Sequence, residues 1–362
     1  MPPITTISRA MRHTHLALAL LVLLTTTTDA WGGESDGRLD IYWIDVEGGA
    51  ATLLVTPAGE TLLIDSGNPG RRDPDRIVKV VTEVAGCKRI DHLVTTHYHG
   101  DHYGGAITLA TLLPIGTLYD NGQFEGMPDN PGKAYFDIRA EKKEVLAPGS
   151  EIKLRQSDKT GAAAIKVRCL GTRQQFVLAG EATPANDSIC SDAREKNRDG
   201  SDNANSVVLH IGFGPWKMLD AGDLTWNQEA KLVCPKNLIG LVDVYQTTHH
   251  GLDASNNPLV IRSIEPRVAI MNNGATKGGM PDVFEALRAQ KSIQAIYQLH
   301  KNLTPAGADL NEPAEYIANL EKECAGNYVH LSVAPDGASY KVSIPANKHE
   351  RQFTTRDAEG KK

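Results

Sequence analysis

The segment His97-Tyr98-His99-Gly100-Asp101-His102, directly behind the apolar run Leu93-Val94-Thr95-Thr96, constrains this chain more than any other stretch. Imidazoles and carboxylates have poor strand propensity and cost stability when buried unless a partner satisfies them. A metal ion is such a partner. His97 and His99 are two apart, so in extended backbone they point the same way and can grip one ion. Asp101 and His102 follow a turn and can face a second ion. A solvated polar loop would not need this concentration of ligand-type side chains.

Two later segments supply what the first lacks. Met218-Leu219-Asp220-Ala221-Gly222-Asp223 reads as a strand and tight turn, which delivers Asp223 where a carboxylate oxygen could bridge two cations. Thr247-Thr248-His249-His250-Gly251, again behind an apolar strand, offers one more imidazole. His92, His210, His330 and His349 match no ligand spacing and read as ordinary core or surface residues.

The 362 residues are 41% hydrophobic and 23% charged, which excludes a disordered, collagen-like or polytopic membrane chain. Lys and Arg number 38 against 44 Asp and Glu, a formal charge of −6, so no global basic field recruits nucleic acid or anionic membrane. Any polyanionic substrate must be held locally.

Short apolar runs alternate with helix-length segments. Leu39 to Ile44, Ala51 to Thr56, Thr61 to Ile64 and His92 to Thr95 read as strands, with a helix opening at Asp73-Pro74. Residues 120–150 and 171–205 read as long loops. Further strands are expected from Val207, Trp216, Leu241, Val268 and Ala295, helices near 225–233, 281–289 and 313–322, and a closing hairpin from Tyr328 to Ile344. This pattern predicts a mixed α/β layered domain.

Arg9 and Arg12, the apolar run Leu16 to Leu24 and the small-residue end Thr28-Asp29-Ala30 read as a cleavable signal peptide over residues 1–30, and hence a periplasmic or secreted protein. The run is too short to span a membrane. A single folded domain is then expected over 31–345, with 346–362 a flexible charged tail. Export permits disulfides, and the odd count of five cysteines leaves at least one thiol free. Cys169 and Cys190, which flank a polar insertion, are the expected bridge.

The 97–102 motif, preceded by Leu62-Leu63-Ile64-Asp65-Ser66-Gly67 and followed by the Gly-Asp and His-His-Gly segments, resembles the metallo-β-lactamase superfamily of binuclear metal hydrolases. The resemblance implies a four-layer αββα sandwich with metals at one edge between two sheets. It implies that His97 and His99 hold the first metal and Asp101 and His102 the second. Asp223 would bridge them, and His249 or His250 would complete the second site, His249 preferred because it comes first after the strand. Asp65 would support these ligands.

Most members of that superfamily carry another histidine before the bridging aspartate. Here only His210 is available, inside an apolar strand. Ser201-Asp202-Asn203-Ala204-Asn205-Ser206 stands instead, similar to the hydrolase domain of DNA-uptake competence proteins (ComEC-like). Asn203, Asn205 or water would then complete the first metal. Competence-type domains open with Asp-Val-Gly-Gln-Gly-Asp, whereas this chain has Asp45-Val46-Glu47-Gly48-Gly49-Ala50.

These features imply a hydrolase with two divalent ions, zinc by default for a His-rich site, manganese or magnesium as alternatives. Asp101 is the candidate for proton handling. The favoured substrate is a phosphodiester, nucleic acid or nucleotide. Alternatives are a lactone, thioester or cyclic amide, with β-lactams last, or a metal-stabilised binding module without turnover. Lys277, in the Gly-rich segment 272–279, and His300, at the end of a strand, are candidate site-edge residues.

Overall fold

Residues 1–3 and 36–356 are described by the computed structural model. Apart from its first three residues, the segment read as a signal peptide lies outside the described residues, as does the end of the chain beyond 356. Among the described residues, no helix is long and apolar enough to cross a membrane.

Two sheets form the centre. The chain lays down β1 (Leu39–Trp43), β2 (Thr52–Val55), β3 (Thr61–Ile64), β4 (Ile90–Val94), β5 (Ile115–Asp120) and β6 (Lys142–Val145) in the first. The second takes β7 (Glu151–Ile152), β8 (Ile165–Thr172), β9 (Gln175–Phe176), β10 (Val208–Phe213), β11 (Trp216–Asp220), β12 (Val244–Gln246), β13 (Val268–Met271), β14 (Ala295–His300) and β15 (Ile317–Asn319). Then β16 (Val329–Val333), β17 (Ser339–Ile344) and β18 (His349–Thr354) return to the first. The strand orders are β18-β17-β16-β1-β2-β3-β4-β5-β6 and β15-β14-β13-β12-β11-β10-β8-β7, with β9 paired to β8.

Each sheet has an antiparallel part and a parallel part. β3 to β6 run parallel, as do β11 to β15. Parallel strands deliver their carboxyl ends to one edge, and those edges carry the ligand-type residues.

Strand alternation builds three apolar layers. Leu39, Ile41 and Trp43 of β1 meet Leu209, Ile211 and Phe213 of β10 in the core between the sheets. Tyr42, Leu53 and Leu63 point outward beneath α1 (Arg72–Lys79), α2 (Gly100–Tyr103), α3 (Ala106–Leu112) and α4 (Lys133–Phe136), where Ile77, Ala106, Leu109 and Tyr135 cover them. On the opposite face, α5 (Asp187–Cys190) and α6 (Trp226–Lys231) join α7 (Pro258–Ile264) and α8 (Pro281–Ala289), whose Leu259, Ile261, Phe284 and Leu287 pack on the second sheet. Asn257 caps α7 by accepting the Leu259 N–H at 3.0 Å, with Pro258 at the first helical position. One buried polar link crosses the apolar centre: Gln246 Oε1 accepts from Trp43 Nε1 at 2.7 Å and Thr52 Oγ1 at 2.9 Å. The result is the αββα sandwich.

The structure departs from the sequence reading in four places. The helix expected at 313–322 is a short turn at Ala314–Tyr316 followed by β15, because parallel pairing with β14 satisfies this backbone. The loop at 120–150 contains α4 and β6, and that at 171–205 contains β9 and α5. The disulfide joins Cys190 to Cys234 rather than Cys169. Cys169 is held inside β8 and faces the core between the sheets, whereas Cys234 follows α6 and meets α5. Finally, the tail expected from 346 onward includes β18, fixed to β17 and anchored by Phe353 stacked on Tyr340 at 5.2 Å.

Candidate metal centre

The end of β4 continues extended through Thr95 and Thr96 and turns into α2, so one segment presents His97, His99, Asp101 and His102 in succession. Asp65, just past β3, lies beneath it in the left-handed region at φ 62°. This conformation is sparsely populated for a non-glycine residue and persists where its surroundings fix it. Asp65 Oδ1 accepts the Thr96 N–H at 2.8 Å, while Oδ2 accepts the Thr96 hydroxyl at 2.8 Å and binds His102 Nδ1 at 2.7 Å. His102 therefore presents Nε2 to the site, the orienting role that sequence assigned to Asp65.

Across the cleft, β11 ends at Asp220 and turns through Gly222 to aim Asp223. Gly222 has φ 53°, and a Cβ there would sit 3.0 Å from Thr96, so both conformation and space call for glycine. Asp220 Oδ1 accepts the Gly222 N–H at 3.0 Å, and burial pushes the Asp220 carboxyl up to about 7. Ser206 Oγ accepts the Asp223 N–H at 3.2 Å.

Asp223 Oδ2 is the hub. It lies 3.1 Å from His102 Nε2, 3.3 Å from His250 Nε2, 3.5 Å from His249 Nε2 and 3.9 Å from His97 Nε2. Asp101 Oδ2 completes one flank at 3.2 Å from His250 Nε2 and 3.5 Å from His102 Nε2. Ligand atoms of Asp101, His102, Asp223 and His250 all lie within 4.8 Å of one another.

Both adjacent histidines reach Asp223, on different sides. His249 and His250 have φ of 54° and 56°, which turns the chain sharply after β12. His250 joins Asp101 and His102, the position expected for His249. His249 instead contacts Asn203 Nδ2 at 3.3 Å through Nε2 and Ser255 Oγ at 3.2 Å through Nδ1. Order after the strand did not decide the matter because both residues leave it in left-handed backbone.

His99, partly exposed, pairs with Asp129 Oδ2 at 3.3 Å. Asn205 is turned away: its side chain donates to Asp202 Oδ1 at 3.0 Å and accepts from Gln174 Nε2 at 3.3 Å, so Asn203 remains as the amide near the centre. Lys277 bonds Asp101 Oδ2 directly. His300 belongs to a separate cluster with Asp45 and Cys324. His210 stays within β10, and His330 pairs with Asp40 at 2.9 Å, as expected of residues outside the site.

Charge follows from this packing. Burial, reinforced by His102, holds His97 well below the usual imidazole range. Burial also opposes charge on His102 and Asp223, yet Asp223, Asp65 and Asp101 push His102 up, and His102, His250 and His249 push Asp223 down. Asp101 follows the same pattern, its burial outweighed by His102 and His250. Such carboxylates set against imidazole nitrogens also favour a divalent cation among them. The donor set fits such ions: carboxylate oxygen and imidazole nitrogen predominate, and His97 Nε2 and Asn203 Oδ1 are buried without a hydrogen-bond partner. Asp101, His102, Asp223 and His250 would hold one ion.

Residues 44–173 match the Metallo-beta-lactamase superfamily. The chain carries a metallo-beta-lactamase superfamily domain. The chain is 24% identical over 276 residues to a UPF0173 metal-dependent hydrolase of Cupriavidus metallidurans, covering 73% of this chain and 84% of that one. It is 23% identical over 227 residues to Competence protein ComA of Neisseria gonorrhoeae, covering 63% of this chain but only 26% of that protein. Among solved structures, it is similar to CmlA, a diiron beta-hydroxylase from Streptomyces venezuelae, at 17% identity and a TM-score of 0.41, over 71% of this chain and 52% of that one. Its curated relatives thus include a metal-dependent hydrolase, and its two mixed sheets with flanking helices have the metallo-beta-lactamase fold.

Thr96, Asp129, Ser206, Asp220 and Ser255 were not singled out from sequence. Ser206 and Asp220 sit within motif segments, where adjacency was the available signal. Asp129 and Ser255 are brought in by the fold alone.

Proposed function

We propose that this metallo-β-lactamase-fold chain is an exported hydrolase with two divalent ions that cleaves phosphodiesters. The observation that carries the two-ion reading is the position of Asp223 Oδ2 among four imidazoles, those of His97, His102, His249 and His250. One ion would take Asp101, His102, Asp223 and His250. The other would take His97, His99 and Asp223, with Asn203 or His249 in place of the missing histidine. Zinc suits the imidazole-rich set, and the Asp and Asn oxygens also admit manganese. Bound together, two such ions acidify a water molecule and polarise the substrate.

The protein groups do the rest. Asp65 holds the His102 ring in one tautomer. Asp101, at the flank of the centre, is the residue proposed to handle the proton of an attacking water. Lys277, on the same oxygen, places a positive charge where an anionic substrate oxygen would lie. A phosphodiester is favoured over a neutral lactone or amide by Lys277 and by the similarity to a competence protein. The absence of a basic field over the chain is consistent with a substrate held only at this local cation. Export rests on the leader-like sequence of residues 1–30.

The test is hydrolysis of bis(p-nitrophenyl) phosphate by metal-loaded protein against Asp101→Ala prepared identically. A metal-dependent rate lost in the variant supports the reading. Turnover of a chromogenic β-lactam or a thioester with no phosphodiester rate would move the substrate to an acyl compound.

A further inference from the structure

A second group of ligand-type side chains lies outside the Asp223 centre. Asp45, in the turn after β1, His300, at the end of β14, and Cys324, between β15 and β16, come from three distant parts of the chain. One ligand atom from each lies within 4.8 Å of the others. His300 Nε2 is 2.8 Å from Asp45 Oδ1, Cys324 Sγ donates to Asp45 Oδ2 at 3.0 Å, and Cys324 Sγ lies 3.7 Å from His300 Nε2. Asp45 and His300 are fully buried, while Cys324 is partly exposed.

A plain hydrogen-bonded network would not need this chemistry. A thiol is a weak donor, and a hydroxyl would serve Asp45 better. Thiolate, imidazole and carboxylate together are the borderline-soft set that zinc prefers and that calcium or magnesium does not. Three protein ligands with one partly exposed side also leave a coordination position toward solvent.

The cluster already selects positive charge. Arg76 Nη1 lies 3.0 Å from Asp45 Oδ2, and its Nη2 lies 3.7 Å from Cys324 Sγ. A metal ion would have to share or displace that guanidinium. Glu47 provides the alternative partner: Oε1 is 3.0 Å from Arg76 Nη2, and Oε2 is 2.9 Å from Arg72 Nη1. Arg76 can therefore yield Asp45 and remain paired.

We propose that Asp45, His300 and Cys324 form a separate site for a single thiophilic divalent cation of the zinc class. Its role would be to clip the 320–326 segment to the 45–50 turn. That turn supports the other centre: Ala50 N donates to the Asp101 carbonyl at 3.1 Å, and a Cβ on Gly49 would meet the same carbonyl at 2.4 Å. The inference is independent of which substrate the enzyme takes.

Cobalt(II) separates the two sites. The donors around Asp223 are nitrogen and oxygen only, so a thiolate-to-cobalt charge-transfer band in the near ultraviolet requires a cysteine. Full-length protein stripped of metal and titrated with cobalt should develop this band. Cys324→Ser and Cys324→Ala should lose it together with one equivalent of bound metal, while keeping phosphodiester hydrolysis within about twofold. Asp223→Asn should retain the band. Arg76→Gln should tighten cobalt at this site by about tenfold, because a competing cation is gone. In wild-type protein, cobalt should slow alkylation of Cys324 by iodoacetamide about tenfold or more, since a coordinated thiolate is a poor free nucleophile. Protein that holds cobalt but shows no charge transfer overturns the proposal. So does a band that survives in Cys324→Ser, which would assign it to Cys87 or Cys169. Equal alkylation of Cys324 with and without cobalt also overturns it, whether or not the serine variant folds.

Discussion

The two clusters of ligating side chains are built in opposite ways. Around Asp223, the first sheet contributes one continuous segment, His97 to His102, and the second contributes the ends of β11 and β12. Around Asp45, each group comes from a different region, and Arg76 stands among them. The first cluster sets carboxylates directly against imidazoles. The second also carries a guanidinium, which Glu47 shares. This difference teaches that density of ligand residues in sequence marks the reactive centre, while a site assembled wholly by tertiary contacts leaves no local mark.

The comparison is tested most severely at Asp223. Asp223→Asn should lower metal-dependent hydrolysis by more than about 100-fold and reduce bound metal, because the shared oxygen is lost to both sides. A rate within tenfold of wild type would show that Asp223 is not the hub. At the other cluster, Asp45→Ala should leave bound metal around Asp223 in place but destabilise the fold by about 3 kcal/mol in chemical denaturation, since Arg76 and His300 lose a buried carboxylate. A stability change below about 1 kcal/mol would show that Arg76 and His300 do not depend on this carboxylate.

Asp65→Asn should weaken metal binding by about 10- to 100-fold, measured by competition with a chelator, because it removes the carboxylate that orients His102. Unchanged affinity would mean that packing alone fixes the ring. The smallest effects separate two neighbouring amides. Asn203→Ala should weaken the binding of one of two ions by less than about tenfold, whereas Asn205→Ala should leave metal affinity unchanged, since its side chain faces Asp202 and Gln174. Equal effects from the two would remove the assignment of Asn203 to the centre.

Much of the reactive centre was legible before folding. The His-x-His-x-Asp-His spacing announced Asp101 and His102, which the structure brings beside Asp223, because a strand end followed by one helical turn is a local structure, decided within a few residues. Asp223 was legible from the tight turn behind an apolar strand, and Asp65 through the family resemblance. The alternation of strand and helix patterns likewise announced a mixed α/β layered domain, the resemblance implied its two sheets, and the parallel runs gathered the ligand-bearing ends at one edge.

Long-range packing decided the remainder. The pairing of Cys190 with Cys234 depends on α5 meeting the end of α6, which no spacing encodes. Residues 313–322 became β15 because a neighbouring strand was waiting with unpaired backbone groups, and the charged end became β18 for the same reason. The choice between His249 and His250 turned on two left-handed residues, and the approach of Asp45, His300 and Cys324 on the stacking of two sheets. Sequence by itself determined the chemistry at each strand end, because ligand type and local backbone are properties of a few adjacent residues. Only the tertiary structure decided which ends face each other, because that depends on how the whole apolar surface is buried.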